Sequence, residues 1–178
     1  MSDDRRFIIA QKDGMTPLVS HIFTMLEYAR QTTLDTVRNL SIEQLDHMHD
    51  EKSNSIGTLL HHMAAVEVWY QVFTFEDRDW FHDEAEAAEW GDALELNAKA
   101  KEIAHGKPLE YYVGKLNAVR QKTLEGFKKR NDAWLMEERP FLKEIPANFY
   151  FMWFHVAEDE INHRGQIRWL RKRLPNFT

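Results

Sequence analysis

The sequence contains no cysteine. That excludes disulfides, thiolate metal ligands and a cysteine nucleophile. Glycine and proline are scarce, at seven and five among 178 residues. No run of alternating β-branched residues stands out, so a strand-rich fold is not expected. No apolar run approaches a membrane span, and the opening "MSDDRRFIIAQKDG" lacks the long apolar segment of a secretory signal. An excess of positive charge is also missing. The formal net charge of −6 argues against a general nucleic-acid binder. These absences leave a cytoplasmic protein, with neither membrane nor nucleic acid as a partner, as the expectation.

What is present is helical periodicity in a chain long enough to bury one core, read as a single domain over residues 1–178. After an N-terminal extension (1–14), Thr16-Pro17 resembles an N-cap followed by proline in the first turn. Leu18, Ile22, Leu26, Ala29, Val37 and Leu40 then mark the face of a first long helix. "SIEQ" from Ser41 is a capping-box pattern for a short connecting helix. Asn54 or Ser55 can cap a second long helix, with Ile56, Leu59, Met63, Val66, Tyr70 and Phe73 inward. Residues 76–107 form a long acidic connection with one or two short helices. A third helix is expected over about 108–131 and a fourth over about 147–173, stopped by Pro175. The expected fold is all-α, a four-helix bundle with a long crossover connection between helices two and three.

Nine histidines are more than such a bundle needs. His47, His49, His82 and His105 lie in polar or turn-rich stretches and are expected to be exposed. "HVAEDEINHRGQI" (155–167) is different: His155, Asp159 and His163 recur every four residues on the stripe continued by Ile167, Leu170 and Leu174. Buried charges must be paired, hydrogen-bonded or bound to metal. Asp159 and His163 alone fit a buried hydrogen bond as well as a metal. On the second helix, His62 falls three residues after Leu59 and four before Val66, so it belongs to the inner stripe; its neighbour His61 falls toward a solvated edge. His62 with Asp159 and His163 would make a two-histidine, one-carboxylate site with open coordination positions. Zinc hydrolases and iron(II) oxygenases both use that set.

"SIGTLLHHMAAVEVWY" and "HVAEDEINHRGQIRWLRKRL", with "HRGQI" the best motif, resemble signatures of the DinB/YfiT-like family of metal-dependent four-helix-bundle enzymes. The resemblance runs from helix one to the final "RKRL". It implies a four-helix bundle, commonly a homodimer, holding one divalent metal ion (zinc, nickel, iron or manganese). The family's ligand positions fall on His62 and His163, and on Asp159 where relatives often carry histidine. Bacillithiol transferases and mycothiol-dependent maleylpyruvate isomerase are similar bundles. The resemblance therefore implies a small-molecule substrate and transfer of a low-molecular-weight thiol to an electrophile, or else hydrolysis. The alternative is a non-catalytic dimeric stress-response or interaction protein in which the same residues form a buried hydrogen-bond network.

Other residues have two readings each. Glu160-x-x-His163 and Glu102-x-x-His105, with Glu27 and Glu67, spell a di-iron bundle. That reading is disfavoured because Glu102 and His105 sit at a helix end and Glu160 lies about 100° from Asp159. Arg164 can hold a substrate carboxylate or make a surface salt bridge with Glu160. Gln166 and His155 are candidates for supporting the metal ligands, His155 alternatively being a core histidine satisfied by a backbone carbonyl. Glu158 or Glu67 can accept the second N–H of a ligand histidine. The cluster "NFYFMWFH" reads as core and dimer contact, with Trp153 able to wall a pocket. "RGQIRWLRKR" reads as cations complementing a helix C-terminus. No catalytic acid or base is assigned.

Overall fold

The computed structural model describes residues 7–78 and 84–174; His82 and Pro175 lie outside the described residues. Four long helices dominate: α1 (Pro17–Val37), α3 (Ile56–Phe75), α7 (Leu109–Lys128) and α9 (Phe149–Arg171). The short α2 (Ile42–Asp46) joins the first two. The connection after α3 carries α4 (Glu84–Glu86), a π-helical turn (Ala87–Gly91), α5 (Asp92–Glu95) and α6 (Ala98–Ala104). Between α7 and α9 lie α8 (Asp132–Leu135) and a small hairpin of β1 (Glu138–Pro140) and β2 (Pro146–Asn148), which the sequence did not announce. The fold is an all-α bundle with little sheet.

Local chemistry explains most helix starts. Ser41 and Gln44 form the reciprocal capping box read from "SIEQ". Ser55, rather than Asn54, caps α3 by accepting from the Thr58 amide at 3.1 Å. Asn148 caps α9 through the Phe151 amide at 2.8 Å. Thr16 occupies the cap position of α1 but makes no capping bond. Its hydroxyl donates to Asp132 instead, and the same carboxylate accepts from the Leu18 and Val19 amides at 2.9 and 3.2 Å. The negative charge thus comes from α8, more than a hundred residues away in sequence, to the positive end of α1.

Contacts between helices fix their directions. Arg164 on α9 reaches the Ala29 carbonyl and Thr32 on α1, and Arg171 reaches Thr36, so α1 and α9 run parallel. Tyr112 packs at Gly57, Gln71 donates to the Val119 carbonyl at 2.7 Å, and Phe75 packs on Phe127. These make α3 and α7 parallel. Tyr70 meets His155, and Trp153 donates to Thr74 at 3.1 Å, so α3 and α9 are antiparallel. Two parallel pairs therefore oppose one another, and the connection from α3 to α7 must travel back along the bundle. Its α5 and α6 pack on α3. With neighbours on every side, α3 is buried almost all round, and no single inner stripe describes it.

The apolar core lies in two clusters. One gathers Leu45, Ile56, Leu60, Leu116 and Ile167; the other gathers Ile22, Leu26, Tyr70, Phe127 and Trp153. A buried layer of charge, one residue from each long helix, divides them. Arg30 meets Glu67 at 2.9 Å and Glu160 at 3.0 Å, while Arg120 meets the same carboxylates at 2.7 and 3.4 Å. Arg30 also donates to the Leu116 carbonyl at 2.7 Å, and Thr123 donates to Glu67 at 2.6 Å.

Candidate metal centre

The two antiparallel helices α3 and α9 bring His62, Asp159 and His163 together, with one candidate ligand atom from each lying within 4.8 Å of the others. Asp159 Oδ1 stands 3.6 Å from His62 Nε2 and 3.3 Å from His163 Nε2. The two imidazoles meet edge to face at 4.7 Å. The i, i+4 spacing on α9 sets Asp159 and His163 on one side, and α3 presents His62 opposite them.

The ring of His62 is oriented by its other nitrogen. Nδ1 lies 2.9 Å from the carbonyl oxygen of Ala93 on α5. A carbonyl only accepts, so Nδ1 carries the proton and, in a neutral ring, Nε2 turns a lone pair toward the Asp159 carboxylate. Two electron-rich groups so placed favour a cation between them, either a proton on Nε2 or a metal ion. The spacing bears on which cation. Charge-assisted N–H···O bonds run to about 2.7–2.9 Å, shorter than both observed separations. Ligands bonded tetrahedrally at about 2.0–2.1 Å stand about 3.3–3.4 Å apart. Asp159 Oδ2 and His163 Nδ1 are also buried with no hydrogen-bond partner. The donor set thus fits a divalent cation.

Burial works against the charge of Asp159, but the facing imidazoles of His163 and His62 outweigh it and hold the carboxyl well below the usual carboxylate range. One turn away, the Tyr70 hydroxyl lies 3.1 Å from His155 Nδ1. Burial, with Asp159 and Glu158 adding to it, pushes the Tyr70 phenol above its ordinary pKa, so it keeps its proton. His155 therefore has a hydroxyl partner, not the backbone carbonyl considered from sequence.

Several expected roles are corrected. Neither Glu67 nor Glu158 supports a candidate ligand histidine through a hydrogen bond; Ala93 does so for His62. Glu67 is fully buried in the charge layer, where burial raises its pKa but Arg120 and Arg30 outweigh that and hold it at about 2. Arg164 is buried against Ala29 and Thr32 of α1, so it neither faces a substrate nor makes a surface salt bridge with Glu160. Gln166 is exposed at a groove with Trp169 and Lys52. Trp153 is buried in the core rather than walling a pocket. His61 is not solvated: it is 3% exposed, edge-on to Trp90 and Tyr111, with both ring nitrogens unpartnered. His49 and His105 are exposed, and His47 is half-buried.

The di-iron reading finds no matching site among the described residues. Glu27 pairs with Lys12, Glu102 is exposed, and Glu160 faces the arginines of the charge layer. The charge layer itself was missed. One signal for it existed: Arg30 occupies a position on the buried stripe of α1, four residues after Leu26 and seven before Val37.

Comparison with known proteins bears on the fold and the family separately. The fold is similar to the crystal structure of a conserved protein from Enterococcus faecalis, with a TM-score of 0.60 and 15% identity over 92% of this chain and 97% of that one. No curated protein is similar enough to match. The family match covers residues 21–175 and includes both helices that carry the triad. On that match the chain belongs to the mycothiol-S-transferase family, a DinB/YfiT-like family.

Proposed function

We propose that the protein is a divalent-metal-dependent S-transferase joining a low-molecular-weight thiol to an electrophile, with His62, Asp159 and His163 as the metal ligands. The observation that carries this is the meeting of two imidazoles and one carboxylate oxygen at 3.3 and 3.6 Å. A non-catalytic hydrogen-bond network would draw the same atoms closer. Three protein ligands leave coordination open. A divalent ion held there would supply Lewis-acid stabilisation of a thiolate at neutral pH.

The chain's own residues do the rest. Ala93 fixes the ring of His62, and Asp159 contributes the negative charge that balances the cation. The Tyr70–His155 pair, beside Asp159, offers a hydrogen bond to the electrophile. Transfer forms one carbon–sulfur bond. The thiol proton passes to solvent, and the leaving group departs with its bonding pair.

Elemental analysis of the purified protein beside His163→Ala tests the reading. The expected result is near-stoichiometric metal in the wild type and its loss in the variant. No metal after incubation with zinc, nickel, iron or manganese would sink the proposal. Metal-loaded protein should then convert mycothiol and 1-chloro-2,4-dinitrobenzene to the thioether and chloride, detected by mass spectrometry. Hydrolysis products without thioether would move the assignment to a hydrolase.

The same reading includes a cytoplasmic homodimer. No described helix is long and apolar enough to cross a membrane. Phe154 and Ile161, 47% and 44% exposed on α9, are apolar groups that a second copy would cover. Light scattering should give a dimer at micromolar concentration; a monomer would count against it.

A further inference from the structure

Two clefts open along α9, one toward each side of Asp159, and one carries more polar side chains than the other. The first, about 570 Å³, lies between the hairpin and the opening turns of α9. Phe141, Leu142, Ile145, Pro146, Ala147 and Phe151 make it apolar, and it closes on His155. The second, about 590 Å³, lies between the turn before α3 and the later turns of α9, and sets the polar Lys52, Asn54, Asn162 and Gln166 beside the apolar Trp169 and Leu170. At about 100° per residue, Phe151, His155, Asn162, Gln166 and Trp169 fall within an arc of about 60° on α9. Asp159 lies within about 40° of His155 and within about 20° of Gln166. Along the helix axis Asp159 is about 6 Å from His155 and about 4.5 Å from Asn162, at about 1.5 Å per residue.

We infer that the two clefts divide the substrates: the apolar one takes the electrophile by its apolar body, and the polar one takes the polar body of the thiol. This rests on the transferase reading and adds to it where each partner lies. Both volumes are of the size that holds a small molecule. The apolar cleft is built at a cost. Lys143 and Glu144 at the hairpin tip are both left-handed, with φ of 56° and 61°, a conformation that is unfavourable for a residue with a Cβ. The Phe141 amide, donating to the Ile145 carbonyl at 2.9 Å, closes this strained tip. What the tip displays is Leu142 and Ile145, 64% and 63% exposed. Strain that holds apolar side chains open beside a polar centre is characteristic of a ligand clamp, and an apolar occupant would remove them from water. In the second cleft, the Lys52 ammonium and the amides of Asn54, Asn162 and Gln166 suit hydroxyl and amide groups. A low-molecular-weight thiol is a polar body around one small reactive group, so its body fits there with sulfur directed to the triad.

Ligand-observed NMR titration of the metal-loaded protein tests the division, with 1,3-dinitrobenzene as an unreactive apolar probe and mycothiol as the thiol. Ile145→Asp should weaken dinitrobenzene binding by about tenfold or more and leave mycothiol within about twofold. Lys52→Glu with Gln166→Ala should do the reverse. These side chains lie at the rims of the clefts, so the variants should fold, which circular dichroism checks. Equal losses of both probes in either variant, or no loss in both, would overturn the division while leaving the transferase reading intact. Wild-type, metal-loaded protein that binds neither probe would overturn both.

Discussion

At the scale of single residues, the two adjacent histidines of α3 have opposite fates. The Ala93 carbonyl of α5 and the Asp159 carboxylate of α9 define the two nitrogens of His62. His61 meets Trp90 of the connection and Tyr111 of α7, with no hydrogen bond to either ring nitrogen. Burial first, and the Lys115 ammonium second, pull its pKa from 6.5 to about 4. In the window between those values the unfolded chain binds a proton that the folded protein refuses. Folding stability should therefore decline as pH drops from about 6.5 toward 4, by up to roughly 3 kcal/mol from this group. Urea titrations across that window should show a shallower decline in His61→Phe; identical slopes would show that His61 protonates freely in the fold. His62, Asp159 and His163 were legible because each interrupts an apolar stripe at helical spacing. His61 was not, because assigning it to an edge presumes a helix with a wet side. The Ala93 carbonyl was also invisible, since a backbone oxygen supplied by a connection leaves no mark in residue type.

At the scale of elements, the parallel pair α3 and α7 depends on close approach. A Cβ added at Gly126 would lie 2.2 Å from the Phe75 ring, and one at Gly57 would lie 2.5 Å from the Tyr112 hydroxyl. Alanine in a helix interior normally gains up to about 1 kcal/mol over glycine. At Gly126 the sign should reverse, because Phe75 is already held by Phe127 and Trp153. Gly126→Ala should destabilise by about 1–3 kcal/mol, read as a lower melting temperature; a rise would show that Phe75 repacks without loss. Helix positions were legible from periodicity to within a few residues. The hairpin was not, because six residues rich in proline and charge carry no alternation. The capping of α1 by Asp132 was likewise hidden, since only the folded chain brings α8 to that helix end.

At the scale of the whole molecule, the charge layer ties the four long helices together at one level. Two arginines and two glutamates offset one another there, so removing one member leaves an uncompensated buried charge. Glu67→Gln should cost about 3–5 kcal/mol, whereas Thr123→Val, which deletes one hydrogen bond to the same carboxylate, should cost about 1–3 kcal/mol. Urea unfolding of both variants measures the ratio, and equal small effects would mean that water reaches the layer. The four long helices and the long connection were readable from the sequence, but helix direction was not, because an amphipathic pattern looks the same up or down. Direction has a practical consequence for engineering. Since α1 and α9 run parallel, the start of one and the finish of the other stand at opposite poles of the bundle, roughly 30 Å apart at about 1.5 Å per residue. A circularly permuted version joined from Arg171 to Pro17 would need a linker of about nine or more extended residues. A permuted chain with a shorter tether would have to unwind one of its two outermost helices to close.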